Sequence, residues 1–333
     1  MLRSTLLRAA AAALLVGFGA ASAAEAASPG APVTLRLGYL RGPEPLSISR
    51  LRGTLEKRLA ARNVKVAWVG PFLAYAPAAE ALNANAIDIT IGSSSAAISS
   101  LVGTAPISLF AYQWDAGDSS GIVVRNGSNI RTVADLAGRT VAVNRGGTGD
   151  YQLTKALEKA GVASTAVKRA FLSPVDSAAA FANGHVDAWS AWSIFFPTAL
   201  VDGDARVIAQ ASEFGSQNAV VYVVRTPFAA ENPELLKDVL EDLRESARWA
   251  QQNREEAARL WVQELKLSPV VATRVSNYRN DEPVPVGEKE LVALESLNDW
   301  LVSSKLLPKP APSGITSSPW AANAVRPAAL TSR

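Results

Sequence analysis

From Val33 onward the chain switches again and again between two periods of hydrophobicity, and that switching restricts its fold more than any other feature. Val33, Leu35, Leu37 and Tyr39 alternate with Thr34, Arg36 and Gly38, the period-two pattern of a strand. Ile48, Leu51, Leu55 and Leu59 then recur at helical spacing, and a second strand is predicted from Val64 to Val69. A helix around Ala78 to Asn85, a strand from Ile87 to Ile91, a helix opening in Ser93-Ser94-Ser95 and a strand from Ile107 to Tyr112 continue the series. Such alternation predicts an α/β fold with parallel-rich sheets flanked by helices.

A chain of 333 residues exceeds what one hydrophobic core serves, so two lobes are expected. A second lobe is predicted to begin near Gly117 to Gly121, with strands from Ile122 to Val124, Thr140 to Asn144 and Val167 to Leu172. Ser173-Pro174-Val175-Asp176 has the order of a helix start: a capping serine, proline at the first helical position and an acid in the first turn. Asn183-Gly184 ends that helix, and a strand from Val186 to Ser190 follows. The strand from Val220 to Val224 leads back to the first lobe. Beyond it Asn232-Pro233-Glu234 opens a long helix to about Gln252, with further helices to about Ser304.

Residues 1–26 read as a secretory signal peptide: Arg3 and Arg8, an apolar stretch from Ala9 to Ala21, then small residues that place cleavage after Ala23 or Ala26. The stretch is shorter than the roughly 20 residues of a membrane span. Residues 321–333 read as an irregular tail. There is no cysteine, which removes disulfides, thiolate ligands and a lipidated anchor, so a free periplasmic protein is expected. Lysine and arginine are interspersed with acids rather than gathered in a basic stripe, which argues against a nucleic-acid partner.

Asn144-Arg145-Gly146-Gly147-Thr148-Gly149-Asp150 lies between a predicted strand and a predicted helix. Glycines let a backbone approach a ligand, and amides at a helix start are oriented donors for an anion. The glycines alone leave an anion-binding loop and an ordinary turn equally open. The segment lacks the Gly-Lys-Ser/Thr ending of a nucleotide P-loop and the spacing of a dinucleotide-binding loop. Gly92-Ser93-Ser94-Ser95 offers a second helix start, where serines alone are plain caps. Trp189 and Trp192, with Phe195-Phe196 after them, are either core or the wall of a cleft. His185 is the sole histidine and sits in a turn, so neither a zinc site nor a serine–histidine dyad is expected, and no cofactor.

The mature chain resembles the periplasmic aliphatic-sulfonate-binding proteins, within the sulfonate, nitrate and taurine binding group. The resemblance rests on Leu37-Gly38-Tyr39, Glu80-Ala81-Leu82-Asn83 with Ile87-Asp88, Thr132-Val133-Ala134-Asp135-Leu136-Ala137-Gly138 and Ala156-Leu157-Glu158-Lys159-Ala160-Gly161. Its most specific parts are Leu172-Ser173-Pro174-Val175-Asp176 with Ala180-Phe181, and Val186-Asp187-Ala188-Trp189 with Trp192. It implies a two-lobed periplasmic-binding-protein fold of type II with the ligand in a cleft, lobe one being 33–115 plus 225–320 and lobe two 116–224. The crossings near Asp115-Gly117 and Ser216-Arg225 would form the hinge.

Several loop positions depart from the family pattern. Leu40 stands in place of the usual glutamine, Gly92-Ser93-Ser94 in place of Thr-Gly-Asp, Pro71-Phe72-Leu73-Ala74-Tyr75 in place of Phe-Pro-Ala-Gly, and Ser193-Ile194 in place of Asp-Pro. The expected ligand-binding residues are therefore Leu40, Arg41, Phe72, Tyr75, Ser93, Ser94, Gly146, Gly147, Thr148, Gly149, Trp189 and Trp192. Arg41 is either a partner for an anionic head or a solvated surface charge.

The resemblance implies a monomeric solute-binding component of an ABC importer that delivers a small anionic ligand, an aliphatic sulfonate, to an inner-membrane permease. Nitrate, taurine and sulfate esters are alternative ligands. A sensor that signals to a membrane receptor and a pyrimidine-forming enzyme on the same fold are alternative functions; that chemistry would need histidines and cysteines that this chain does not supply.

Overall fold

The alternating segments are gathered into two separate sheets. The computed structural model describes residues 32–103, 106–279 and 281–312, so the expected signal peptide and the 321–333 tail lie outside the described residues. In chain order the strands are β1 (Val33–Leu40), β2 (Val64–Phe72), β3 (Ile89–Ser93), β4 (Ile107–Gln113), β5 (Ser120–Arg125), β6 (Thr140–Val143), β7 (Lys168–Phe171), β8 (Ala188–Trp192), β9 (Ala205–Gln210), β10 (Val220–Arg225) and β11 (Val284–Pro285). One sheet has the order β11-β4-β10-β3-β1-β2 and the other β7-β6-β8-β5-β9.

Both sheets are flanked by helices as expected, and each combines parallel with antiparallel pairs. β1 runs parallel to β2 and β3, and β6 parallel to β7 and β8. β10 is antiparallel to β3 and β4, and β5 antiparallel to β8 and β9. The reason is where the chain crosses. It leaves the first sheet at Gln113 and returns beside it at Val220, its register partner, so the returning strand must run the opposite way. All of β10 belongs to the first sheet, whereas the expected boundary at residue 224 assigned most of it to lobe two.

Period two governs which side each strand residue buries. On β10, Tyr222 and Val224 pack with Leu35, Leu37 and Phe110 beneath the helix Pro233–Gln252, while Val221 and Val223 face the helices Ser94–Leu101 and Glu288–Ser303. On β5, Ile122 and Val124 meet Leu153 and Leu157 of the helix Thr148–Lys159, and Val123 meets Phe181 and Phe196 on the other face. The helix expected across Ile48 to Leu59 is divided at Gly53, whose φ of 62° is left-handed and ends Pro45–Arg52. β9, β11 and the helix Phe195–Val201 have no counterpart in the sequence reading.

A buried carboxylate ties the first sheet together. Asp88, just before β3, accepts from Arg36 Nη2 of β1 at 2.6 Å and from Arg225 Nη2 of β10 at 2.9 Å. Burial works to raise its pKa, but the hydrogen bonds from the two arginines outweigh it and hold the carboxyl below its ordinary value.

Candidate functional site

A cavity of about 190 Å3 is lined by the ends of β1, β3, β4 and β8, the start of the helix Thr148–Lys159, and the helical layer carrying Ala247, Trp261 and Tyr278. That exceeds the roughly 150 Å3 cavity known to admit benzene, so a small organic molecule fits.

Two helix starts meet at this cavity through one side chain that the sequence reading did not single out. Asn218 Oδ1 accepts from Ser94 Oγ and Ser95 N, both at 3.1 Å, at the opening of Ser94–Leu101. Its Nδ2 donates to Thr148 Oγ1 at 3.2 Å, at the opening of Thr148–Lys159. Tyr151 of that helix holds the same segment, its hydroxyl accepting from Gln217 N at 2.7 Å. A second tie runs between the helices, Ser99 Oγ donating to the Gly146 carbonyl at 3.1 Å. Thr148 Oγ1 is the acceptor in that bond, which leaves the hydroxyl's donor capacity unused by Asn218.

The two serines divide the labour. Ser93 lines the cavity and caps its helix, its Oγ accepting from Ala96 N at 3.3 Å. Ser94 is fully buried and turned to the chain, its Oγ also accepting from Ala219 N at 3.0 Å.

In the glycine-rich loop the amides are largely engaged within the protein. Gly149 N donates to Asn144 Oδ1 at 2.8 Å, Gly147 N to the Asn144 carbonyl at 3.2 Å and Gly146 N to Asp150 Oδ2 at 3.2 Å. Of Gly146, Gly147, Thr148 and Gly149, only Thr148 is in the cavity wall. Gly149 is needed for close packing, since a Cβ there would come within 2.9 Å of the Ser190 carbonyl.

The tryptophans separate. Trp192 lines the cavity, its ring edge-on to Phe195 at 6.0 Å. Trp189 is 2% exposed and packs between Phe181 and Phe195, both at 6.1 Å, so its expected place in the cleft is corrected to the core. Residues three apart on a strand face opposite sides, so β8 could not turn both rings to one ligand.

Leu40 at the end of β1, Arg41 just after it and Tyr75 at the start of the helix Tyr75–Asn83 line the cavity, whereas Phe72 is not in its wall and meets Arg41 through its carbonyl, which accepts from Arg41 N at 2.8 Å. Tyr75 packs on Gly92, where any Cβ would collide with the ring, and burial pushes its hydroxyl up to about 12. The Arg41 guanidinium donates to the carbonyl of Leu265 at 2.5 Å, the C-terminal residue of Arg254–Leu265 and a favourable place for a cation.

Two carboxylates also line the cavity: Glu44, which the sequence reading passed over, and Asp115, which it named only as part of a hinge crossing. Burial raises Glu44 to about 7 and moves Asp115 upward as well, against the hydrogen bond it accepts from Gly117 N. Among the described residues no cluster of three histidines, cysteines or acids could hold a metal ion. His185 is exposed, beyond the helix Pro174–Ala182.

The family model described as NMT1/THI5 like matches residues 61–257. The chain is 28% identical over 296 residues to an Escherichia coli K12 protein whose name assigns it to aliphatic sulfonate binding, covering 89% of this chain and 92% of that one. It is 28% identical over 207 residues to the taurine-binding periplasmic protein of the same organism, 62% of each chain. Among solved structures it is similar to the alkanesulfonate-binding protein SsuA of Xanthomonas axonopodis pv. citri bound to MOPS, with a TM-score of 0.79, 26% identity, and coverage of 84% of this chain and 96% of that one. The desulfurization enzyme DSZB, at 17% identity and a TM-score of 0.62, shares the fold alone.

Proposed function

The chain belongs to the NMT1/THI5-like family, and from that premise we propose that it is the solute-binding component of an ABC importer, capturing an aliphatic sulfonate between two lobes. The observation that carries this reading is the convergence of two helix starts on one cavity: Ser93 and Thr148 stand in its wall, and Asn218 bonds Ser95 N at one start and Thr148 Oγ1 at the other. A sulfonate presents three oxygens and one charge, and hydroxyls and helix dipoles can receive them without a formal counter-charge. Trp192, Leu40 and Trp261 offer apolar wall to the alkyl part.

The lobes correspond in this reading to the two sheets, with the crossings that flank Gln113 and Val220 as the hinge. Their register pairing supports it, because two crossings side by side leave one axis for rotation. Contacts from Ser93 on one side and Thr148 on the other exist together only when the cleft is closed, so ligand favours closure. The sulfonate- and taurine-binding relatives support a periplasmic protein that hands its ligand to a membrane permease and returns it chemically unchanged.

Calorimetry of purified protein against alkanesulfonates, taurine, nitrate and sulfate esters tests the proposal, with recovery of the ligand to score turnover. Sulfonate binding with intact ligand is the expected result. Binding of only neutral sugars or cations, or conversion of the ligand, would overturn it.

A further inference from the structure

The wall of the cavity carries an acid in an unusual state. Glu44 has Oε2 enclosed with no hydrogen-bond partner, and among the described residues it makes no ion pair. It occupies the N-cap position of Pro45–Arg52 without using its side chain as a cap. Arg41, three residues earlier, is drawn instead to the carbonyl of Leu265.

The local sequence builds this arrangement. A side chain at Gly42 would collide with the Glu44 carboxylate, so glycine there makes room for it. Pro43 and Pro45 flank it, and a residue before proline is confined to extended geometry, as the φ of −88° and ψ of 161° show. Ser276 Oγ, in the same cavity wall, is likewise enclosed and unpartnered.

The charged side chains lining the cavity are then Arg41, Glu44 and Asp115. A purely anionic ligand adds to this acidic excess, and it leaves the enclosed Glu44 Oε2 without a donor. A protonated amine supplies charge-assisted hydrogen bonds to the carboxylate and offsets the excess.

We propose that Glu44 is a specificity-determining residue that receives a cationic nitrogen, so that the ligand of this chain is a zwitterionic sulfonate, anionic at the helix starts and protonated at the Glu44 end. The inference rests on the sulfonate reading above and narrows it.

The test compares homotaurine with propanesulfonate, which share a chain and differ by the amine. The wild type should bind homotaurine at least ~10-fold more tightly, as expected of a charge-assisted contact in an enclosed site. Glu44→Gln, checked for folding by its unliganded melting, should lose that preference and bind propanesulfonate more tightly than the wild type does. N-acetylhomotaurine keeps the chain without the charge and should lose the advantage on the wild type, a readout that needs no variant. Equal affinity for homotaurine and propanesulfonate, or a preference that survives Glu44→Gln, overturns the amine site while leaving sulfonate binding intact. If neither compound nor any other sulfonate binds, the functional reading itself fails, and the amine site with it.

Discussion

Asn218 donates through Nδ2 to the hydroxyl of Thr148 at 3.2 Å, and its Oδ1 accepts at 3.1 Å from the amide of Ser95, in the first turn of the opposite helix. One carboxamide therefore sets the spacing of two helix starts. Asn218→Ala leaves the buried Ser94 hydroxyl and the Ser95 amide without this acceptor, which should cost about 1–3 kcal/mol of stability. Sulfonate affinity should fall together with it, by about 10-fold if the lost contacts are worth about 1.4 kcal/mol to the closed state. Thermal melting and calorimetry on the same variant check both, and unaltered affinity would show that the bridge does not position the ligand.

The two tryptophans of β8 should respond in opposite ways. Trp189→Ala opens a hole in the second core and should destabilise by about 3–5 kcal/mol, with little effect on the affinity of the folded fraction. Trp192→Ala removes cavity wall and should cost about 1–3 kcal/mol of affinity with a smaller loss of melting temperature. Identical behaviour of the two variants in both assays would contradict their assigned faces.

Thr148→Asp places a carboxylate where a hydroxyl faces the cavity. An acid in the first turn of a helix is favourable, so melting should hold or rise slightly. The same charge opposes an anionic ligand, and sulfonate affinity should drop more than tenfold, which is about 1.4 kcal/mol or more. Retained affinity would place the anion elsewhere.

The Asp88 bridges give the fold an acid limb. A carboxyl held below its unfolded value contributes stability that is complete above that value and is lost as pH falls through the folded one. Melting temperature should therefore fall as pH is lowered beneath 3.8, the ordinary aspartate value, and Asp88→Asn should flatten that fall. At neutral pH the substitution strands two arginines and should cost about 3–5 kcal/mol. An unchanged acid profile would mean that other carboxyls carry it.

Glu44 works in the other direction. Its folded value of about 7 lies above the ordinary 4.5, so its contribution is whole at acid pH and is lost as pH rises through 7. Glu44→Gln should raise the melting temperature of ligand-free protein at pH 8, by a stabilisation on the order of 2 kcal/mol, and do little at pH 4. A pH-independent effect would show that the carboxylate finds a partner in solution.

Much of the fold was legible because its signals are local. The period-two run at Val33 to Tyr39 became β1, and Ser173-Pro174 became an N-cap whose hydroxyl accepts from Asp176 N at 3.2 Å. Asn232-Pro233 opened a helix that ends at Gln252, as its pattern indicates. The site was legible only in part. Thr148 and Ser93 stand in helix-start patterns, whereas Asn218 follows Ser216-Gln217 in a stretch with no distinguishing pattern and becomes important only through what it touches.

By itself the amino-acid order determined the succession of strands and helices, the caps and breaks between them, and the lack of thiols and of histidine pairs for catalysis. Those follow from side-chain period and backbone preference over a few residues. The tertiary structure alone decided that β10 inserts antiparallel beside β4, that Trp189 is core while Trp192 meets the cavity, and that Glu44 Oε2 is enclosed without a hydrogen-bond partner. Each depends on pairings such as Val220 with Gln113 or Arg41 with Leu265, which join distant parts of the chain. No local period records those partners, because their free energy arises only when packing removes both from water.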